Sequence, residues 1–499
     1  MWNIVLGPPG TGKTTFLLEK VEKFLEEGTD PRSIAYLAFT KKAATEALDR
    51  AVEKFMFDAE DLPYFRTIHS LCYRQLNLKK SDVLGKQDLK EFGTIIGEKM
   101  TGAWGSIEGT PTVLTKADKM LFSENIARNR QISYKKEWSQ GLSDFNWTHF
   151  DWFCRSYQSY KDSRFLNDYT DMLQHFLESN NAPSLDVLFI DEAQDLSALQ
   201  WACVRKIAEN TESVFVAGDD DQAIYNWAGA DVQQFIDLEG IEIQLERSYR
   251  VPKKVHELAN QIITRTKNRR KKKWLPRKEE GTLTFHSSYE HVDLSEGEWL
   301  ILARNNYSLN AIEEYLKLTG VFYQRNERYS VRKVLLEAIV AWEALRKDKK
   351  VSLKQVKRVY SCISSGKGIT RGKKNLKTAD EDLFYDMETL KKEHGLLVDC
   401  IWHEAFDLIG VQEREYLISC LRKEEKISKP RVKLSTIHGA KGGEADNVLV
   451  LTDIANSAWV EMGRNPEGEN RTFYVAVTRT RENLHIVQPM TNKYFQVAY

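Results

Sequence analysis

Residues 1–6 (MWNIVL) read as a short buried strand that feeds directly into GPPGTGKT at residues 7–14, and helical spacing follows in TFLLEKVEKFLEE. Strand, glycine-rich loop and helix in that order constrain the chain more than any other feature. Together they form the phosphate-binding P-loop in its required context. Glycines let backbone N–H groups close around phosphate oxygens, and the helix N-terminus adds a favourable dipole. The nucleotide contacts expected here are Gly7, Pro8, Pro9, Gly10, Thr11, Gly12, Lys13, Thr14 and Thr15. Lys13 is expected to reach the outer phosphates and the Thr14 hydroxyl a Mg2+ ion. The loop is a strong signal for nucleotide binding and a weak one for which reaction.

A second apolar run, LDVLFI at 185–190, ends in DEAQD. Acidic residues at the tip of a buried strand stand where α/β sheets place ligands. Asp191 suits Mg2+ coordination through a water, and Glu192 suits polarising an attacking water, because γ-phosphoryl transfer needs in-line positioning more than covalent help. A third run, VAGDDDQAIYNWAGA at 216–230, carries three aspartates, then Gln222, Tyr225 and Trp227. A glutamine beside an acidic strand end can sense a phosphate, and nearby aromatic faces can stack unpaired bases. Taken alone, the same run also reads as a surface loop with two core aromatics.

Composition narrows the class. At 499 residues the chain has room for two to four domains. Lys+Arg and Asp+Glu both total 72, so nucleic acid must be held by local patches and not by a global field. The six cysteines are far apart with no CxxC pair, which argues against a zinc site and fits a reducing cytosol. No apolar run is long enough to span a membrane, and the start is too quickly polar for a signal peptide. The expected location is the cytoplasm of a bacterial or phage-infected cell.

With these segments in order, the chain resembles superfamily 1 DNA helicases of the UvrD/Rep/PcrA type. AFTKKAATEALDR at 38–50 is similar to motif Ia of that family, TIHSLC at 67–72 to its TxHS motif, and LERSYR at 245–250 to motif IV. VKLSTIHGAKGGEADNVLVL at 432–451 resembles motif V, and YVAVTRTRENL at 474–484 motif VI. The ordered set reaches from residue 7 to about residue 484, with only faint similarity over 78–165 and 341–428. The resemblance implies an ATP-dependent helicase or translocase using ATP and Mg2+ on single-stranded DNA and single-strand/duplex junctions, moving 3′ to 5′. It assigns catalytic roles to Lys13, Asp191, Glu192, Gln222, Arg250 and Arg479, with both arginines approaching the γ-phosphate from the second core. Tyr249 would stack on the adenine, Glu444 accept from the ribose, and Gln222 join the phosphate and DNA sites. Phe39, Tyr225 and Trp227 would stack bases, and Thr40, Thr67, His69, Thr436 and His438 would lie along the backbone track. Three departures stand out: the start falls six residues before Gly7, where the family has an adenine-reading glutamine segment; Thr15 replaces an arginine near the base; and Ala228 replaces an arginine after the tryptophan. Loose adenine discrimination and one missing DNA contact are therefore expected.

The motifs imply an α/β fold of two RecA-like P-loop cores, each a mostly parallel sheet between helices and each with a largely helical insertion. The first core is expected over 1–77 and 166–246, and the second over 247–340 and 429–499. The insertion 78–165 carries Trp104, Trp138, Trp147 and Trp152; the other, 341–428, is basic at its start. Two basic runs are candidates for phosphate contact. RTKNRRKKKWLPRK at 265–278 reads equally as a backbone patch or a solvated loop. SSGKGITRGKKNLK at 364–377, with Lys367 and Arg371, loosely resembles the family's duplex-contacting turn, a mobile surface loop being the alternative. A competing function is a DNA-stimulated motor that strips proteins without separating strands. The short stretch after motif VI favours it, although Tyr494 and Phe495 could serve as a strand-separating wedge.

Overall fold

The computed structural model describes residues 1–102, 115–140, 145–326, 328–377, 379–380, 382–423, 425 and 429–498. Six strands, β1 (Trp2–Leu6), β2 (Ile34–Ala38), β3 (Tyr64–Thr67), β4 (Leu185–Asp191), β5 (Thr211–Gly218) and β6 (Ile241–Gln244), form one sheet in the order β3-β2-β4-β5-β1-β6. Every pairing in it is parallel. Parallel neighbours require crossovers, and helices such as Lys13–Glu26 and Lys41–Phe55 supply them. Successive strand residues face opposite sides. Ile4, Leu6, Leu37, Leu188, Ile190, Val214 and Val216 therefore pack on one face, and Val5, Tyr36, Val187, Phe189, Phe215 and Ala217 on the other. Burial on both faces explains why these strands read as unbroken apolar runs.

The second half contains β7 (Thr282–His286), β8 (Trp299–Ala303), β9 (Tyr323–Arg325) and β10 (Arg328–Tyr329), then an antiparallel ribbon of β11 (Val351–Ser352) and β12 (Phe384–Tyr385). After the ribbon come β13 (Val432–Thr436), β14 (Ala445–Leu451) and β15 (Thr480–Val487). Its sheet runs β10-β9-β13-β8-β14-β15-β7, parallel except where β10 meets β9. The chain thus has two mostly parallel α/β cores, as the motif order implied.

Both sheets are interrupted by helices. Between β3 and β4, the helices Lys86–Ile95, Lys116–Asn129 and Trp147–Arg164 build a separate core around Phe92, Met120, Phe150, Phe153 and Tyr157. Trp138 and Trp147 pack against it, Trp152 is exposed, and Trp104 lies outside the described residues. In the second half, the helices Lys333–Leu345, Leu353–Ser361 and Val411–Arg422 share one hydrophobic core with the sheet through Trp342, Val356, Tyr360 and Leu417. The helix Lys333–Leu345 runs across the expected boundary at 340/341.

A buried ionic cluster fastens the first insertion to its core. The Lys161 ammonium lies 2.9 Å from Asp168 and 2.6 Å from Asp171, and Arg128 lies 2.7 Å from Asp171. Asp168 also accepts from the N–H groups of Thr170 and Asp171 at 2.8 Å, capping the helix Tyr169–Glu178 that packs on the sheet through Met172, Leu173 and Phe176. Burial opposes the Asp168 charge, but Arg128 and Lys161 outweigh it and hold the carboxyl below its usual range. Removing one partner of such a cluster leaves buried charge uncompensated. Asp168→Ala is expected to lower stability by about 3 kcal/mol, read as a shifted urea midpoint at unchanged slope.

Candidate functional site

The carboxyl ends of β1, β4 and β5 lie side by side, so residues 7–14, 191–195 and 219–222 converge. Gly7 N–H donates to Gly218 O at 3.0 Å, carrying the β1–β5 pairing into the loop. The Lys13 side chain folds across Gly7, where a Cβ would stand 2.0 Å from its Cγ. Its ammonium donates to Gly7 O at 3.0 Å and lies 3.6 Å from Glu192. The Thr14 hydroxyl donates to Asp191 Oδ2 at 2.9 Å, and the buried Tyr36 hydroxyl donates to the same oxygen at 2.8 Å. A hydroxyl and a carboxylate in contact beside this lysine make a hard oxygen donor set, and that fits Mg2+. Burial and the neighbouring Glu192 raise the Asp191 pKa. Burial acts on Glu192 in the same sense, but Lys13 and Lys441 outweigh it and hold that carboxyl at about 2. Glu192 is therefore a carboxylate at neutral pH.

Residues from later in the chain close over this edge. Gln222 donates to Asp219 Oδ2 at 2.7 Å and accepts from the buried Arg479 guanidinium at 2.8 Å. Burial and Arg250 push Arg479 down to about 9, which leaves it charged at neutral pH. Arg250 is paired with Glu444, which also lies 3.6 Å from Arg481. Tyr249 is 76% exposed, so its ring presents a free face beside the loop. Lys441 pairs with Asp195, donates to Gln222 O at 2.8 Å and lies 5.0 Å from the centre of the Tyr225 ring. Burial pushes Asp195 up to about 6 despite that ammonium.

The expected nucleic-acid residues also sit at strand ends. Phe39 and Thr40 follow β2, Thr67 ends β3 and Thr436 ends β13. Thr40 and Thr67 accept from Ala43 N and Ser70 N at 3.2 Å, capping the helices that follow. Thr436 accepts from Gly439 N at 3.1 Å. Tyr225 departs from an open stacking platform: it is 6% exposed, its ring stacks on Phe39 at 5.7 Å, and its hydroxyl donates to His438 O at 3.0 Å. The half-buried Trp227 lies 6.1 Å from the His438 ring and 6.3 Å from Phe122. Lys367 and Arg371 are exposed, and among the described residues no hydrogen bond or ion pair joins them to this cluster. Of the two candidate wedge residues, Tyr494 is exposed and Phe495 is not available. Phe495 is buried face to face against Phe473 at 4.2 Å, because an apolar ring gains more from the core than from solvent.

The description "UvrD/REP helicase N-terminal domain" matches residues 2–240, and "UvrD-like helicase C-terminal domain" matches residues 304–489. The chain belongs to the UvrD/Rep helicase family. It is 24% identical over 398 residues to the ATP-dependent DNA helicase PcrA of Bacillus subtilis, covering 72% of this chain and 50% of that protein. To a probable DNA helicase II homolog of Mycoplasma capricolum it is 23% identical over 600 residues, covering 97% of this chain and 81% of the other. The match to PcrA of Staphylococcus aureus is 24% over 308 residues, with 54% and 39% covered. The chain spans about half the length of the Bacillus relative.

For a helicase-family chain, the basic run at 265–278 has an unexpected task. Asp219, Asp220 and Asp221 are all buried, and the Lys272 ammonium sits among them, 3.0 Å from Asp219, 3.1 Å from Asp221 and bonded to Asp220. Arg269 Nε donates to Asp221 at 2.7 Å, Arg270 N to Asp220 at 2.8 Å, and Arg471 Nε to Asp220 O at 2.9 Å. Lys272 and Trp274 point inward while Lys271 and Lys273 point out, so the run is an extended strap. Its buried face holds the aspartates, while Lys267, Lys271, Lys273 and Lys278 are exposed. The sequence reading missed Lys272, Arg269, Arg471, Tyr36, Asp195 and Lys441. Of these, Lys441 and Asp195 stood inside recognised motifs.

Two measurements follow from these environments. Lys272→Met leaves three buried carboxylates without their central ammonium, so a loss of about 3 kcal/mol or more is expected in urea denaturation. Burial lowers the pKa of His69 to about 4 and that of His438 to about 3. In the unfolded chain both rings take a proton near 6.5, so between there and those values the unfolded state binds more protons. Stability should therefore fall as pH drops from about 6.5, with His438 alone contributing a loss of about 1–2 kcal/mol by about pH 5. His438→Gln should flatten that slope.

Proposed function

We propose that this chain is an ATP-dependent DNA helicase that translocates on single-stranded DNA, 3′ to 5′, and couples hydrolysis to strand separation at single-strand/duplex junctions. The observation that carries this reading is the continuity of the polar network. Glu192, Lys13 and Thr14 line the phosphate edge, and Gln222 and Lys441 connect that edge to Tyr225 and His438.

In this reading Lys13, Arg250 and Arg479 hold the outer phosphates, while Thr14 and Asp191 hold Mg2+. Bound Mg2+ would neutralise charge developing between the phosphates. Glu192, ionised and pinned beside Lys13, accepts a proton from the attacking water. Arg479 adds positive charge where negative charge grows, in a site where burial strengthens it. Engagement of Arg250 by phosphate frees Glu444 from its present ion pair for the ribose hydroxyl, and Tyr249 offers its exposed face to the base. Trp227, Phe39 and Tyr225 stack bases, and the strand-end threonines and histidines follow the backbone. Lys367 and Arg371 meet the duplex, where affinity falls steeply with salt. No described helix is long and apolar enough to cross a membrane, and the proposed location is the cytoplasm.

A second reading is a DNA-stimulated motor that removes proteins without efficient unwinding. Burial of Phe495 favours it, since only Tyr494 of the two candidate wedge residues is exposed. Hydrolysis with and without single-stranded DNA, run beside unwinding of duplexes bearing a 3′ or 5′ tail, separates the two. Stimulated hydrolysis with unwinding only from the 3′ tail supports the helicase, and stimulation without unwinding supports the remodelling motor. Lys13→Ala should lower turnover by about a hundredfold or more while leaving single-stranded DNA binding largely intact. Normal hydrolysis by that variant would refute the site.

A further inference from the structure

The segment that leaves the first sheet is bonded to the phosphate loop before the second sheet begins. Leu245 N donates to Leu6 O at 2.9 Å, so the backbone beyond β6 is still in register with β1. Ser248 follows, fully buried. Its hydroxyl donates to Pro9 O at 2.7 Å and accepts from Arg250 N at 3.2 Å and Val251 N at 3.0 Å. One donor and two acceptor sites are all that a serine hydroxyl has, and here all three are used. Tyr249 N donates to Gly10 O at 2.8 Å. Gly10 adopts φ +71°, and a Cβ there would lie 2.4 Å from the Cβ of Arg250. None of these backbone and hydroxyl contacts uses a residue of the second sheet, while the Arg250 guanidinium pairs with Glu444 just before β14 and Val251 is buried among second-core residues.

We propose that Ser248 is a positioning residue that fixes Arg250 onto the phosphate loop, making this arginine part of the first core's nucleotide site whether the cleft is open or closed. This revises the expectation that both arginines arrive from the second core. Arg479, at the junction of the helix Glu467–Val477 and β15, belongs to the second core. Arg250 then distinguishes a triphosphate from a diphosphate at the first encounter, and closure adds Arg479 for hydrolysis. The inference rests on the reading of residues 7–14 as a triphosphate site.

The test measures affinity for a non-hydrolysable ATP analogue and for ADP, with and without single-stranded DNA. The proteins compared are wild type, Ser248→Ala, Arg250→Ala and the double variant. Ser248→Ala should weaken analogue binding about tenfold, by the same factor with and without DNA, and leave ADP within about twofold of wild type. In the Arg250→Ala background it should add little, because the two residues act as one unit. Ser248→Cys, close in volume but a weaker donor, should fall between wild type and alanine. Wild-type analogue affinity in Ser248→Ala, a loss seen only with DNA, an equal loss for ADP, or additive losses in the double variant would each overturn the proposal. Failure of the underlying reading has a different signature: Lys13→Ala would bind the analogue as tightly as wild type.

Discussion

Three adjacent carboxylates buried at the end of β5 are the arrangement on which the rest of this structure depends. Like charges withdrawn from water are prohibitive unless opposite charge is brought to them. Here it comes from Lys272, Arg269 and Arg471, all far along the chain. The turn after β5 therefore takes its shape only when the strap at 265–278 and the helix Glu467–Val477 are in place. Gln222 is oriented by Asp219, and Arg479 and Lys441 are both bonded to Gln222. A folding constraint thus becomes a functional one, because the groups facing the phosphate edge inherit their positions from this cluster.

Two chemically different sets of bonds meet at the phosphate edge. Around Ser248 the bonds are neutral and tied to loop backbone. Around Gln222 and Lys441 they are ionic or charge-assisted. Neutral backbone bonds are indifferent to salt, whereas charge-assisted ones respond to any new charge placed among them. Phosphate groups arriving at Lys13 enter the second network and leave the first intact. On the proposed function, closure around phosphate would therefore act on the Arg479 side of the cleft.

Much of this was legible in the sequence, for a local reason. Residues 7–14 and 185–195 are strand-to-loop transitions whose chemistry is carried by contiguous residues, so reading along the chain finds them. The parallel sheets were legible from apolar runs buried on both faces. Less legible were partnerships set by burial. Arg269 and Lys272 look like surface charges until Asp219–Asp221 are known to be enclosed. Tyr36 looks like one more apolar strand residue, yet its hydroxyl is bonded to Asp191. Phe495 and Tyr225 show the same difficulty for aromatics, whose availability depends on partners brought by the fold: a ring of the helix Glu467–Val477 for Phe495, and Phe39 with the distant His438 for Tyr225. The helix Lys333–Leu345 crosses an expected boundary because its apolar face completes the core of the second sheet.

The pairing of Tyr225 with Phe39 has a consequence for how a polynucleotide is received. Each ring occupies the face that a base would need, and the Tyr225 hydroxyl is committed to His438 O. Under the proposed function, a strand stacking there would compete with an internal surrogate, and its observed affinity would be the intrinsic one scaled by the fraction of molecules whose rings have parted. Lys441, poised over Tyr225 while bonded to Gln222 O and Asp195, makes that fraction depend on the phosphate edge. On the proposed function, the protein would in this way carry its own competitive occupant, bonded through Lys441 to the phosphate edge.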